Sequence, residues 1–294
     1  RRNVRILSGN HEEMLLLALE KEDALRPFLR HGGRETVLSY PVSPQAYAQA
    51  GWDELRAHTS ARIALGRVGA SLPTREVLRF GLAHAQARDA VHRPLDFAAL
   101  RTQLQAEDFR VQQVNSDAED RQTYLLRPDK GRRLSDACYQ RLSAEPVAPE
   151  LAVVIADGLS SIAVQRHALP LLQLFRQRFD TDWTRTPVVL AEQGRVAIGD
   201  GIGEALRARL VLVLIGERPG LSSPDSLGLY LTYAPRVGTM DSQRNCISNV
   251  RPEGLPYAAA AHKLDYLVRE ALRLQLSGVG LKDDSNLLRV AVTE

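Results

Sequence analysis

The sequence predicts an α/β protein: a doubly wound, mostly parallel sheet in the C-terminal part, preceded by a smaller helical domain. Three observations predict it. Residues 151–156, 187–190 and 210–215 are short, uninterrupted apolar runs, the pattern of strands buried on both faces. Between the first two, Leu159 to Phe179 has helical spacing, and strands alternating with helices pair in parallel beneath two helical layers. Upstream of residue 145 the apolar residues recur at helical intervals instead.

Taken in order, residues 1–50 hold one apolar helix candidate, Met14 to Leu25, ended by Arg26-Pro27 because a residue before proline avoids the helical region. His31-Gly32-Gly33, Pro41 and Pro44 follow and read as a linker, so this part is an arm. Residues 51–148 form the helical domain. Its first helix runs from about Trp52 to Leu65 and stops at the loop Gly66 to Pro73. Thr74 is placed to cap the second, where Val77, Leu78, Leu82 and Ala85 make an apolar stripe. A third starts at Arg127-Pro128-Asp129, with proline tolerated in the first turn and Asp129 favourable at the positive end, and continues through Leu134, Ala137, Cys138 and Leu142. Ala144 to Pro149, with two prolines, marks the boundary to the sheet domain, residues 149–281. There the strands Leu151–Ala156, Pro187–Leu190, Leu210–Ile215 and Leu229–Tyr233 are expected, with a kink before Pro170 and a closing helix from Tyr257 to Leu276. Residues 282–294 form a tail.

Composition narrows the function. The 294 residues are 44% apolar, enough for a core, and contain no apolar run of about 18 residues, so no membrane span is indicated. The basic start, Arg1 to Arg5, is followed by Glu12 and Glu13, which interrupt the apolar stretch a signal peptide needs; a cytoplasmic protein is expected. The charge of +3, from 38 basic and 35 acidic residues, is spread along the chain, and few aromatics lie among the basic residues, which disfavours a nucleic-acid platform. Cys138 and Cys246 alone build neither a disulfide framework nor a zinc site.

In open parallel sheets ligands bind beyond the carboxyl ends of the strands. Asp157-Gly158-Leu159-Ser160-Ser161 follows the first strand; its amides can receive an acceptor-rich ligand, or Asp157 or Ser160 simply caps a helix. Gly194 to Gly203 follows the second, and its glycines allow close approach to a bulky ligand. Glu204 stands where a dinucleotide fingerprint would need its third glycine, and no phosphate-loop motif occurs. Gly216-Glu217-Arg218-Pro219-Gly220 ends the third strand, placing a carboxylate and a guanidinium at the rim, either for a ligand or as a solvated ion pair. In Arg244 to Asn249, Cys246 reads most simply as a small buried hydrophobe. No histidine is spaced to make it a nucleophile, and Asp-x-His-x-x-Gly, which supplies a histidine to cobalt in some cobalamin proteins, is missing.

Together, Thr59 to Arg67, Tyr124 to Leu134, Val153 to Ser160, Gly216 to Leu221 and Cys246 to Asn249 occur in an order and spacing that resemble the light chain of ethanolamine ammonia-lyase, from about Trp52 to Gly278. The resemblance implies an ammonia lyase that converts ethanolamine to acetaldehyde and ammonia by radical chemistry. It implies adenosylcobalamin as cofactor, bound with its own dimethylbenzimidazole on cobalt. It further implies a large β/α-barrel subunit that holds the substrate and most catalytic groups, and it assigns no catalytic or metal-ligating residue to this chain. The cofactor would lie between the subunits in a hetero-oligomer of several large–small pairs, cytoplasmic, with a bacterial microcompartment as one setting. By motif position, Val196, Glu217 and Cys246 would contact the corrinoid. Two readings compete: a stand-alone α/β enzyme using a nucleotide, which lacks its phosphate loop, and a structural assembly protein with an empty rim.

Overall fold

A computed structural model describes residues 62, 65–146 and 148–285 of the chain. The arm, the Met14–Leu25 and Trp52–Leu65 helices and most of the tail lie outside the described residues. The chain divides into two units, residues 1–78 and 79–294. The described part of the first contains a tight turn in which Val68 and Ser71 exchange backbone hydrogen bonds of 2.8 and 3.1 Å.

Helix α1 (Thr74–His92) begins there and runs into the second unit, followed by α2 (Phe97–Ala106). Asp96 caps α2 by accepting from the Ala99 amide. The remaining order is β1 (Arg110–Asn115), α3 (Arg121–Leu126), α4 (Pro128–Gly131), α5 (Asp136–Ser143), β2 (Leu151–Ala156), α6 (Ser161–Arg176), β3 (Pro187–Glu192), α7 (Ile198–Ala205), β4 (Leu210–Gly216), β5 (Leu227–Tyr233), β6 (Arg244–Val250) and α8 (Tyr257–Leu274). The six strands form one sheet in the order β1-β3-β2-β4-β5-β6. β1, β3, β2 and β4 are parallel, and β5 and β6 are added antiparallel.

Burial explains the central pattern. Every residue of β2 and β4 is buried, which is why both read as unbroken apolar runs. One face, with Leu151, Val153, Ile155, Leu212 and Leu229, packs on Leu100 of α2, Leu171 and Phe175 of α6, and Leu264 and Val268 of α8. The other face, with Val154, Ala156, Val189 and Val213, packs on Cys138 and Leu142 of α5 and on Ile198 and Ile202 of α7. The sheet is doubly wound, as expected. Pro170 lies inside α6, and α8 ends at Gln275 in the left-handed conformation (φ 57°).

Several local expectations are corrected. The sheet takes its outermost parallel strand, β1, from a span read as mainly helical; Gln112 and Gln113 are half-buried there, so the strand never shows an apolar run. The single helix expected from Arg127 to Leu142 is two short ones, α4 and α5. Residues 132–135 leave the helix to pair with the end of β1: Asp117 N–H donates to the Arg133 carbonyl (3.0 Å) and Ser135 N–H to that of Asn115 (3.2 Å). The segment Arg244–Asn249, read as a rim loop, is the edge strand β6. β5 runs antiparallel because the connection through residues 217–226 is too short for a crossover helix. On α1, Thr74 is the first helical residue rather than a preceding cap, and Val77, Leu78 and Leu82 are exposed.

Candidate functional site

The carboxyl ends of β2, β3 and β4 and the start of β5 enclose an open cleft of about 640 Å³. Val196 and Glu217, two of the three residues singled out from the sequence, line it. Cys246 does not line it. Instead it faces Tyr230 across the β5–β6 ladder, and Tyr230 is a wall of the cleft. The three residues therefore belong to one region, on the second face of the sheet, where Val196 and Tyr230 pack against the core and Cys246 is exposed.

Each wall is held by identifiable contacts. Asp157, at the end of β2 and 4% exposed, accepts hydrogen bonds from the backbone amides of Gly158 (3.0 Å), Gln193 (3.1 Å) and Gly194 (2.9 Å). Burial pushes its carboxyl up to about 6, against the opposing pull of Arg121, 3.6 Å away, and of the three amides. This one side chain ties the turn after β3 to β2, immediately before Arg195 and Val196. Gln193 takes up a left-handed conformation there (φ 53°). Arg121 also donates to the carbonyls of Val91 (2.6 and 2.8 Å) and Gly158 (2.8 Å).

Tyr124 is 1% exposed and sits between the guanidinium groups of Arg121 and Arg195, 4.6 and 4.5 Å from its ring centre. Burial holds its phenol up at about 12, so it is neutral. Arg195 donates to the Tyr124 carbonyl at 2.9 Å.

On the opposite wall the Glu217 carboxylate lies over Gly228 and accepts from the Asn249 amide at 3.1 Å. Asn249 has φ 57°, which turns that amide toward the carboxylate. No ion pair joins Glu217 to Arg218, so the solvated-pair alternative is not what forms. Although Cys246 is exposed, partial loss of solvent raises its thiol above the ordinary value; the neighbouring Tyr230 hydroxyl works the other way, and the Glu217 charge adds to the rise. Burial also raises the Tyr230 phenol, with contributions from Cys246 and Glu217. Glu217, Tyr230 and Cys246 thus form one electrostatically coupled group with protonated hydroxyl and thiol.

In two rim segments the capping groups and the glycines have roles other than a ligand contact. In the turn after β2, Ser160 caps α6 by accepting from the Ala163 amide and donates to the Pro224 carbonyl (2.8 Å), while the Leu159 amide donates to Gly216 (2.9 Å). These groups serve the fold rather than a ligand. The glycines of Gly194 to Gly203 do not line the cleft. They let α7 pack: a Cβ at Gly199 would lie 2.4 Å from Val213 and one at Gly203 2.4 Å from Pro235. Within that helix Asp200 is buried and makes a bidentate pair with Arg244 of β6, including a 2.7 Å bond, while Arg244 also donates to the Thr239 carbonyl (2.6 Å). The pair fastens α7 to the edge strand.

Sequence reasoning missed Tyr230, Tyr124 and Arg195. The alternation Gly228, Tyr230, Thr232 was a usable signal for Tyr230, since the opposite face carries Leu227, Leu229 and Leu231.

Comparison with known proteins shows the family. The family model described as "Ethanolamine ammonia-lyase light chain (EutC)" matches residues 49–282. The chain belongs to this family. Among its relatives, the "Ethanolamine ammonia-lyase small subunit" of Azotobacter vinelandii is 59% identical over 244 residues, covering 81% of this chain and 90% of that protein. The protein of the same name from Pseudomonas fluorescens is 58% identical over 252 residues, covering 84% and 90%. That of Ralstonia nicotianae is 58% identical over 246 residues, covering 82% and 91%. The cleft at the rim of this sheet has an apolar side (Leu159, Val196, Ile215) and a polar side (Glu217, Tyr230, Asn249). Among the described residues no helix is long and apolar enough to cross a membrane, and no group of three or more His, Cys, Asp or Glu is placed to hold a metal ion.

Proposed function

We propose that this light chain supplies one wall of an adenosylcobalamin site, the other belonging to a large barrel subunit, in an enzyme that converts ethanolamine to acetaldehyde and ammonia. The observation that carries the reading is the convergence of Val196, Glu217 and the Tyr230–Cys246 pair on one open cleft. A corrin is an apolar macrocycle edged with amides. Val196, Leu159 and Ile215 offer apolar surface to such a ring, while Glu217 can accept from amide N–H groups beside its bond to Asn249. Tyr230, with its phenol protonated, can donate to an amide carbonyl or accept from an amide. Cys246, small and exposed, permits close approach at the strand edge.

When bound, the corrinoid would supply radical chemistry through its cobalt–carbon bond. The groups of this chain bind and orient the ring and keep water away from it. An open cleft holds a ligand in part only, which is the geometry of a site completed by a second chain. The relatives' designation as a small subunit supports a large-subunit partner.

The test is Glu217→Ala in the two-subunit complex. Among the described residues Glu217 makes one hydrogen bond, so its loss costs folding about 1 kcal/mol. Corrinoid retention is expected to fall by about tenfold or more, a larger effect than on folding. Equal losses in both would argue that Glu217 is structural.

A further inference from the structure

The cleft carries more positive charge than its chain contacts use. Arg195, Arg218 and Arg251 line it, against the single carboxylate of Glu217. Arg251 is shared with Asp225 and Glu253, at 3.8 and 3.9 Å, and donates to Asn249 at 3.0 Å. Arg195 and Arg218 have no carboxylate partner among the described residues. Arg195 is fixed rather than free: it lies on the Tyr124 ring, its Nη2 is committed to the Tyr124 carbonyl, and its buried Nε has no acceptor. Arg218 is exposed beside Glu217, and Ser222 and Ser223 line the same cleft. A preset guanidinium, an exposed one without a carboxylate partner and two neighbouring serines suit a small oxyanion with several acceptor atoms.

From this set we infer a phosphodiester subsite within the cleft, with Arg218 and Arg195 as its principal donors. The inference rests on the corrinoid reading, because the amide-edged ring of a cobalamin is neutral at its periphery whereas its nucleotide tail carries one phosphodiester. Neutral amides suit Glu217 and Tyr230; they do not call for two unpaired guanidinium groups. The subsite would therefore recognise the tail and set the rotation of the ring in the cleft.

The experiment compares two corrinoids in the complex of this chain with its large subunit: cyanocobalamin and cobinamide, which lacks the phosphoribosyl-benzimidazole tail. Affinities are read from the visible spectrum for wild type, Arg218→Gln and Arg195→Gln, and assembly is followed by sedimentation. Because Arg218 is exposed and unpaired, its replacement leaves folding intact. Loss of one charge-assisted bond should weaken cyanocobalamin about tenfold and leave cobinamide unchanged. Arg195→Gln should act in the same direction. Equal loss for both corrinoids, or loss for neither, in both variants overturns the subsite. So does release of the large subunit by Arg218→Gln, which would make the guanidinium a partner contact. A wild-type complex that binds neither corrinoid refutes the corrinoid reading itself, and the subsite with it.

Discussion

Asp157→Asn perturbs a buried side chain that holds the Val196 wall of the cleft. Oδ1 accepts from Gly158 and Gly194, and Oδ2 accepts from Gln193 and faces Arg121. Asparagine keeps the first two bonds through its oxygen but turns an N–H toward the Gln193 amide and Arg121. One buried amide loses its acceptor, at a cost of about 1–3 kcal/mol. The raised carboxyl adds a pH dependence of definite sign. Between the ordinary value of 3.8 and about 6, the folded protein binds the proton more tightly than the unfolded chain. Stability from this group is therefore full below pH 3.8 and is lost as the pH rises through about 6. That interval corresponds to about 3 kcal/mol at most. Asparagine does not titrate, so the advantage of wild type over the variant should be larger at pH 4.5 than at pH 7.5. Urea denaturation of both proteins at the two pH values reads this, using the emission of Trp183, which is buried between Phe109 and Phe175. An advantage that grows with pH would mean that the three amides and Arg121 outweigh burial, and would refute the argument.

Three further outcomes follow from the same contacts. Arg244→Met strands Asp200 in the interior and should lower stability by about 3–5 kcal/mol, read by thermal unfolding. Gly216→Ala would place a Cβ 1.9 Å from the Ser160 carbonyl oxygen; neither backbone can yield cheaply, so a loss of about 3 kcal/mol or more is expected in the same assay. Glu217→Gln removes a charge that raises the Cys246 thiol, so alkylation of Cys246 at pH 8 should quicken, whereas Tyr230→Phe, which removes the hydroxyl that lowers it, should slow it. Unchanged rates in both variants would separate Cys246 from the group around the cleft; Cys138 is buried and does not confuse the measurement.

The central strands were legible because two-sided burial leaves no polar position in β2 or β4. β1 was not, because an edge position lets Gln112 and Gln113 stay half-exposed. β6 was hidden for a related reason: Arg244 is buried in it only through its pair with Asp200, which is 44 residues away in sequence. The glycines of α7 show the limit of composition as a guide, since close packing on Val213 and close approach to a ligand demand the same residue. At the site, Val196 and Glu217 were reachable through the resemblance and do share a cleft. Cys246 was legible only as a position in a motif; its link to the cleft runs through Tyr230 and depends on strand register, which no linear pattern specifies.

The corrinoid reading is most directly checked by gel filtration of this chain, the large subunit and cyanocobalamin, followed at the visible corrinoid band. Corrinoid should elute with the two-subunit complex and be lost from the large subunit alone. Equal retention by the large subunit without this chain would contradict a shared site.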